Sequence, residues 1–94
     1  MSKLNILCWQ EIPSVVEAKD DSGTHKVQLS QKFQELIDLI AMRRGLAGTD
    51  SYLMEWGKEA QPDREEDAKT AAENLAAEIE ARYQEIKADA LAKT

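Results

Sequence analysis

Apolar and polar residues alternate from Leu4 to Trp9, placing Leu4, Ile6 and Cys8 on one side and Leu7 and Trp9 on the other. A period of two with apolar groups on both faces predicts a β-strand that has neighbours. Gln10-Glu11-Ile12-Pro13 interrupts it, since Pro13 lacks a donor and biases Ile12 toward extended geometry. Ser14–Lys19 reads as a second, more polar strand. Asp20-Asp21-Ser22-Gly23-Thr24 is a cluster of turn formers, and His25–Leu29 returns as a third strand with Val27 and Leu29 on one face. Strands this close in sequence are expected to pair antiparallel, as a β-meander of two or three strands over residues 3–29.

The period changes at Ser30, a residue suited to an N-cap. Phe33, Leu36, Ile37, Ile40, Ala41 and Arg44 follow at spacings of three and four, with Leu39 and Met42 widening the apolar arc; a core helix over residues 31–44 is expected, closed by Gly45. Thr49 as cap and Asp50 at the positive end open a shorter helix over residues 50–57, with Tyr52, Leu53 and Trp56 inside and Gly57 closing it. Asp63 and Glu66 then have the spacing of a capping box. No residue breaks a helix from there to Leu91, so one long helix is predicted over residues 64–91, with Ala68, Ala72, Leu75, Ile79, Tyr83, Ile86 and Ala90 along its stripe. Glu65–Lys69, Glu78–Arg82 and Asp89–Lys93 lie in the favourable i,i+4 order. The stripe suits packing within the chain or against a second copy, which makes a homodimer through Ile79 an expectation. The whole reading is a single α+β domain over residues 1–94, a meander followed by three helices.

Composition narrows the function. With 43% hydrophobic and 32% charged residues the chain can bury a core, which excludes global disorder. Its net charge of −6 argues against nucleic-acid and anionic-membrane partners. Residues 62–94 carry 5 basic against 9 acidic side chains, making the last helix the acidic part. Cys8 is the sole cysteine, so neither an internal disulfide nor a thiolate metal cluster is expected. The start of the chain has no charged and apolar leader pattern and no stretch reaches the ~18 apolar residues of a membrane span, so a cytoplasmic setting is expected.

Candidate chemistry is sparse. His25, the one histidine, follows a turn without an orienting partner at motif spacing and reads as a surface residue. Cys8 sits mid-strand on an apolar face and reads as a small hydrophobe. Asp63, Glu65, Glu66 and Asp67 fit the positive end of a helix rather than the ligand order of a calcium loop. Gly45-Leu46-Ala47-Gly48 lacks the spacing and lysine of a phosphate loop. No catalytic, cofactor or metal site is expected. The densest constellation is Ala41–Trp56, which gathers two arginines, two aromatics and two glycine bends. Arg43, Arg44, Asp50, Tyr52 and Trp56 are therefore the candidate interaction surface, because Arg, Tyr and Trp dominate binding hot spots. The competing reading makes Tyr52, Leu53 and Trp56 core residues and has Arg43 or Arg44 pair with Asp50 or with the helix dipole. A protein partner is expected, and a non-enzymatic interaction module is the leading function.

The runs Trp9-Gln10-Glu11-Ile12-Pro13 and Gly48-Thr49-Asp50-Ser51-Tyr52-Leu53-Met54-Glu55-Trp56, with Phe33–Asp38 between them, resemble the small bacterial domain family named virulence factor. The resemblance covers most of residues 3–58 and leaves the acidic last helix as a variable tail. It takes its name from a larger protein, conserved virulence factor C, in which a similar domain accompanies parts resembling iron–sulfur carriers and helical repeats. It implies an alternative role as an accessory component of a folate- or corrinoid-linked methyl-transfer or iron–sulfur enzyme system, and it implies no catalytic residues.

Overall fold

In the computed structural model, which describes residues 1–93, four strands form one antiparallel sheet. They are β1 (Ser2–Trp9), β2 (Ile12–Asp20), β3 (Gly23–Gln28) and β4 (Trp56–Arg64), in the spatial order β3-β2-β1-β4. The first three are the predicted meander. Its first turn is made by Gln10 and Glu11, with Gln10 at a positive φ of 52°. In the second, the Asp20 carboxylate accepts the N–H groups of Ser22 and Gly23 at 2.8 and 3.1 Å, and Gly23 takes a φ of 140° that a side chain would resist.

β4 corrects the sequence reading. Residues 56 and 57 were expected to end a short helix and residue 64 to begin the last one; residues 56–64 instead pair with β1 along its length, from Trp9↔Trp56 to Ser2↔Arg64. Gly57, Pro62 and the run of polar residues hide this strand, because it lies at the sheet edge and needs no buried alternation. Its identity comes from a non-local partner. Pro62 falls where the register shifts between Ser2 and Leu4, a bulge position that dispenses with its missing donor.

Four helices, not three, complete the chain: α1 (Gln31–Arg43), α2 (Asp50–Met54), α3 (Ala68–Ala81) and α4 (Tyr83–Ala92). The predicted long helix thus begins at Ala68 and divides at Arg82. Nothing in the sequence breaks it there; packing does. Up to Ile79 the buried side chains face the sheet, whereas Tyr83 meets Phe33 of α1 edge-to-face at 5.1 Å and Ala90 is buried near the end of α1. The Asp63–Glu66 capping box is not formed, since Asp63 belongs to β4. Instead the distant Asp20 accepts the Ala68 N–H at 2.7 Å, so a turn of the sheet caps α3. Ser30 precedes α1 but bonds to Glu80 of α3 through both its N–H and its hydroxyl.

Most of the helical burial serves one face of the sheet. Ser2, Leu4, Ile6, Cys8, Val16 and Ala18 are buried there beneath α1 and α3. Ala68, Ala71, Ala72 and Ala76 give α3 a flat surface that lets its backbone approach β2 and β3 closely, with Leu75 and Ile79 filling the remaining space. Of the two placements left open for the alanine face, it takes packing within the chain, and an Ile79→Asp variant would report on folding rather than association. On the opposite face, Lys3, Asn5, Leu7, Val15, Glu17, Lys19, Lys26 and Lys58 are exposed or half-buried, and nothing covers them among the described residues. No described helix is long and apolar enough to cross a membrane.

Candidate functional site

The candidate surface is built around the end of α1. Gly45, at φ 71°, lets the chain reverse, and its N–H bonds to Met42 O while the Leu46 N–H bonds to Ala41 O at 2.8 Å. That pair of bonds is a Schellman closure. Gly48 makes a second positive-φ bend of 75°. Thr49 then caps α2, its hydroxyl oxygen accepting from Tyr52 N while its own proton goes to Leu46 O. Two further ties hold α2 to the sheet. The buried Trp9 donates its indole N–H to Tyr52 O at 2.9 Å, and Gln10 donates its N–H to Glu55 O at 3.0 Å. Trp9 and Tyr52 lie with ring centroids 5.4 Å apart, and Tyr52 meets Trp56 edge-on at 6.4 Å.

The five predicted surface residues separate into different roles. Arg44 is structural: its guanidinium forks onto Glu11 at 2.8 and 2.9 Å, bonds to Gln10 Oε1 and donates to Ala90 O at 3.2 Å. The Arg44 hydrogen bonds hold the Glu11 carboxyl below the usual range, against a partial burial that acts the other way. Neither arginine pairs with Asp50, the alternative weighed above; Asp50 is exposed in the first turn of α2. Tyr52 and Trp56 are half-buried in the aromatic group, and Trp56 lies on β4 rather than in a helix. Arg43 is exposed and, among the described residues, makes no ion pair.

What sequence reasoning missed is apolar. Met42, Leu53 and Met54 are 69%, 68% and 81% exposed, and Leu39 is also on the surface. Leu39 and Met42 were expected to widen a buried arc, and Leu53 to lie inside its helix. They lie on the two helices that flank a shallow hollow of about 300 Å³, lined by Asp38, Ala41, Met42, Ala47, Gly48 and Tyr52. A helical wheel holds the missing signal: at 100° per residue Met42 falls about half a turn from the middle of the Phe33, Leu36, Ile37, Ile40, Ala41 stripe.

A second concavity, of about 460 Å³, opens where the helical layer stops short of β4. Ile6, Cys8, Leu75 and Ile79 form its floor, with Glu59 and Arg64 on its rim. Arg64 is committed to Glu78 by two bonds of 2.7 and 2.8 Å. Burial, with Glu59 beside it, pushes the Cys8 thiol up to about 11, so it stays protonated and poorly nucleophilic near neutral pH. His25 is half-buried at the edge strand beside Asp20 and Asp67, lining a shallow hollow. Among the described residues, no three His, Cys, Asp or Glu side chains are grouped to share a metal ion.

A family model described as virulence factor matches residues 7–92. The chain belongs to the virulence factor family. No curated protein and no solved structure matches it. The match runs through α3 and α4, so the family extends beyond the residues 3–58 expected above and takes in the acidic C-terminal part. In this virulence factor family member the two motifs that carried the resemblance meet in space: Trp9 pairs with Trp56 across the sheet, bonds to Tyr52 O, and stands beside the fully buried Ile12. The shared motif thus secures the seat of α2 on the sheet.

Proposed function

We propose that this chain is a non-enzymatic interaction module that docks a partner protein through the corner formed by the C-terminal half of α1 and by α2. The observation that carries this reading is the exposure of Leu39, Met42, Leu53 and Met54 on the helices flanking one hollow. Large apolar side chains left in solvent are suited to contact sites, and methionine is suited to repack around a partner. The hollow accommodates an apolar side chain of that partner, and Arg43 supplies an uncommitted guanidinium nearby. Burying one such Met or Leu side chain contributes roughly 1.5–3 kcal/mol before the costs of association.

The test is affinity capture of the tagged chain from its own cells, comparing wild type with Met42→Glu/Leu53→Glu. Both positions are solvent-exposed, so the variant should keep the wild-type circular dichroism and melting temperature while losing a stoichiometric partner. A folded double variant that retains every partner, or a wild type that retains none, would refute the proposal. Turnover of a captured enzyme, with and without this chain, separates docking from the accessory role in methyl transfer or iron–sulfur chemistry that the resemblance implies.

A further inference from the structure

The uncovered face of the sheet carries a charge opposite to that of the molecule. Strand register and the alternation of burial put Lys3, Lys19, Lys26 and Lys58 on this face with a single acidic ladder residue, Glu17. Ion pairs confirm this for three of the five: Glu17 reaches Lys26 at 3.6 Å and Lys58 at 3.7 Å, the latter across β1. Four lysines against one glutamate leave the face at +3, so the rest of a chain of net charge −6 carries −9. Asp21 and Asp63 stand outside this set, in the hairpin turn and the β4 bulge. Lys3 and Lys19 are also direct cross-strand neighbours. Like charges placed opposite one another destabilise a sheet, and among the described residues neither lysine is in an ion pair. A local conflict of that kind is expected where a surface serves binding rather than stability.

We infer that the open sheet face is a second docking surface, for an acidic polypeptide segment of a partner protein. It is separate from the apolar corner and does not depend on it. Charge complementarity supplies the attraction, and Leu7 and Val15, paired at the middle of the face, supply an aliphatic strip for a polypeptide to lie against. The composition favours carboxylates over nucleic acid. The cations are all lysines, without the arginine forks suited to phosphate. The −9 elsewhere repels a long polyanion or an anionic bilayer but tolerates a short acidic segment held on the sheet.

The experiment is a titration of the ¹⁵N-labelled full chain, at low salt, with an oligoglutamate peptide. A single-stranded oligonucleotide of equal charge and phosphatidylserine vesicles serve as parallel probes. Oligoglutamate should shift amides of β1, β2 and β3 around Lys3, Lys19 and Lys26, and bind more tightly than either other probe. Lys19→Glu lowers the face from +3 to +1 and should weaken that binding about tenfold. Because it also replaces a repulsive cross-strand pair with an attractive one, it should raise the melting temperature, an outcome that separates lost binding from lost folding. Lys69→Glu, on α3, should leave binding unchanged. Tighter binding of the oligonucleotide or the vesicles, equal losses in the two lysine variants, or no shifts on the sheet face would overturn the inference. None of these results depends on the Met42 and Leu53 surface, whose variant should bind oligoglutamate normally.

Discussion

Replacing Arg44 by methionine tests whether the corner is anchored as described. Arg44 connects the end of α1 to the first hairpin through Glu11 and Gln10, and to α4 through Ala90 O. Its side chain is 16% exposed and that of Glu11 29%, so the pair is partly shielded from solvent but not dry. Hydrogen bonds to charged groups contribute more than neutral ones, and screening reduces the sum, giving an expected loss of roughly 2 kcal/mol. For a domain of this size that corresponds to a fall in melting temperature of about 8–16 °C. The loss should depend on pH. Glu11 ionises more readily folded than unfolded, because Arg44 donates to its charged form. Its stabilisation is complete above the ordinary glutamate pKa of about 4.3 and is lost as pH falls through the lower folded value. Urea unfolding followed by tryptophan fluorescence should therefore show a large wild-type to variant difference at about pH 7 and a smaller residual one at about pH 3, where the bonds to Gln10 and Ala90 persist. Adding Glu11→Leu to Arg44→Met should recover much of the loss, since the unpaired carboxylate is removed. A cost below about 0.5 kcal/mol at neutral pH, or an equal cost at both pH values, would refute the anchoring argument.

Asp20→Ala should destabilise the fold and speed hydrogen exchange at Ala68, and its effect should disappear in acid, because bonds from Ala68, Ser22 and Gly23 keep this carboxyl below its ordinary value; equal exchange at Ala68 would show that α3 is not capped from the sheet. Ala72→Leu should cost about 1–3 kcal/mol by forcing α3 off the sheet, and an unchanged melting temperature would mean the alanines are not in close contact. Cys8, with a thiolate fraction of roughly one in a thousand at pH 8, should resist iodoacetamide in the folded chain and react promptly in urea. Trp9→Phe should loosen α2 selectively, seen as faster exchange of its amides, and global unfolding without that local change would contradict the role of the indole bond to Tyr52 O.

The meander and α1 were legible because local periodicity was enough: Leu4, Ile6 and Cys8 alternate, and Phe33 to Ala41 repeat at helical spacing. β4 was not, because Lys58 to Arg64 has no apolar alternation and becomes a strand only by pairing with β1. The division at Arg82 was hidden for a related reason, since helix-forming residues continue through it while Tyr83 turns toward Phe33. The surface proposed here lies in the region that the sequence singled out, but rests on different residues. Arginine and aromatic content drew the reading to Arg44, Tyr52 and Trp56, which the fold uses largely to assemble the corner. Alongside Arg43 and Asp50, the side chains presented to solvent are methionines and leucines, whose exposure depends on where the helical layer ends.

That arrangement itself argues for binding. Between Ala41 and Trp56 the chain carries a Schellman closure, a second glycine bend, a threonine cap, the Trp9 bond and the Gln10 bond to Glu55. Five constraints on sixteen residues hold a five-residue helix that has no buried residue of its own. A loop needed only to return the chain from α1 to β4 requires none of this, and surface Leu53 and Met54 carry a liability for aggregation that polar residues would avoid. Rigid backbone under exposed apolar side chains lowers the entropy lost when a partner covers them. The same economy applies to the sheet, whose open face is fixed by four paired strands while its lysines remain in solvent. Both surfaces place deformable side chains on backbone that is already ordered, which suits the proposed role of holding two partners, or two parts of one, in a fixed relative position.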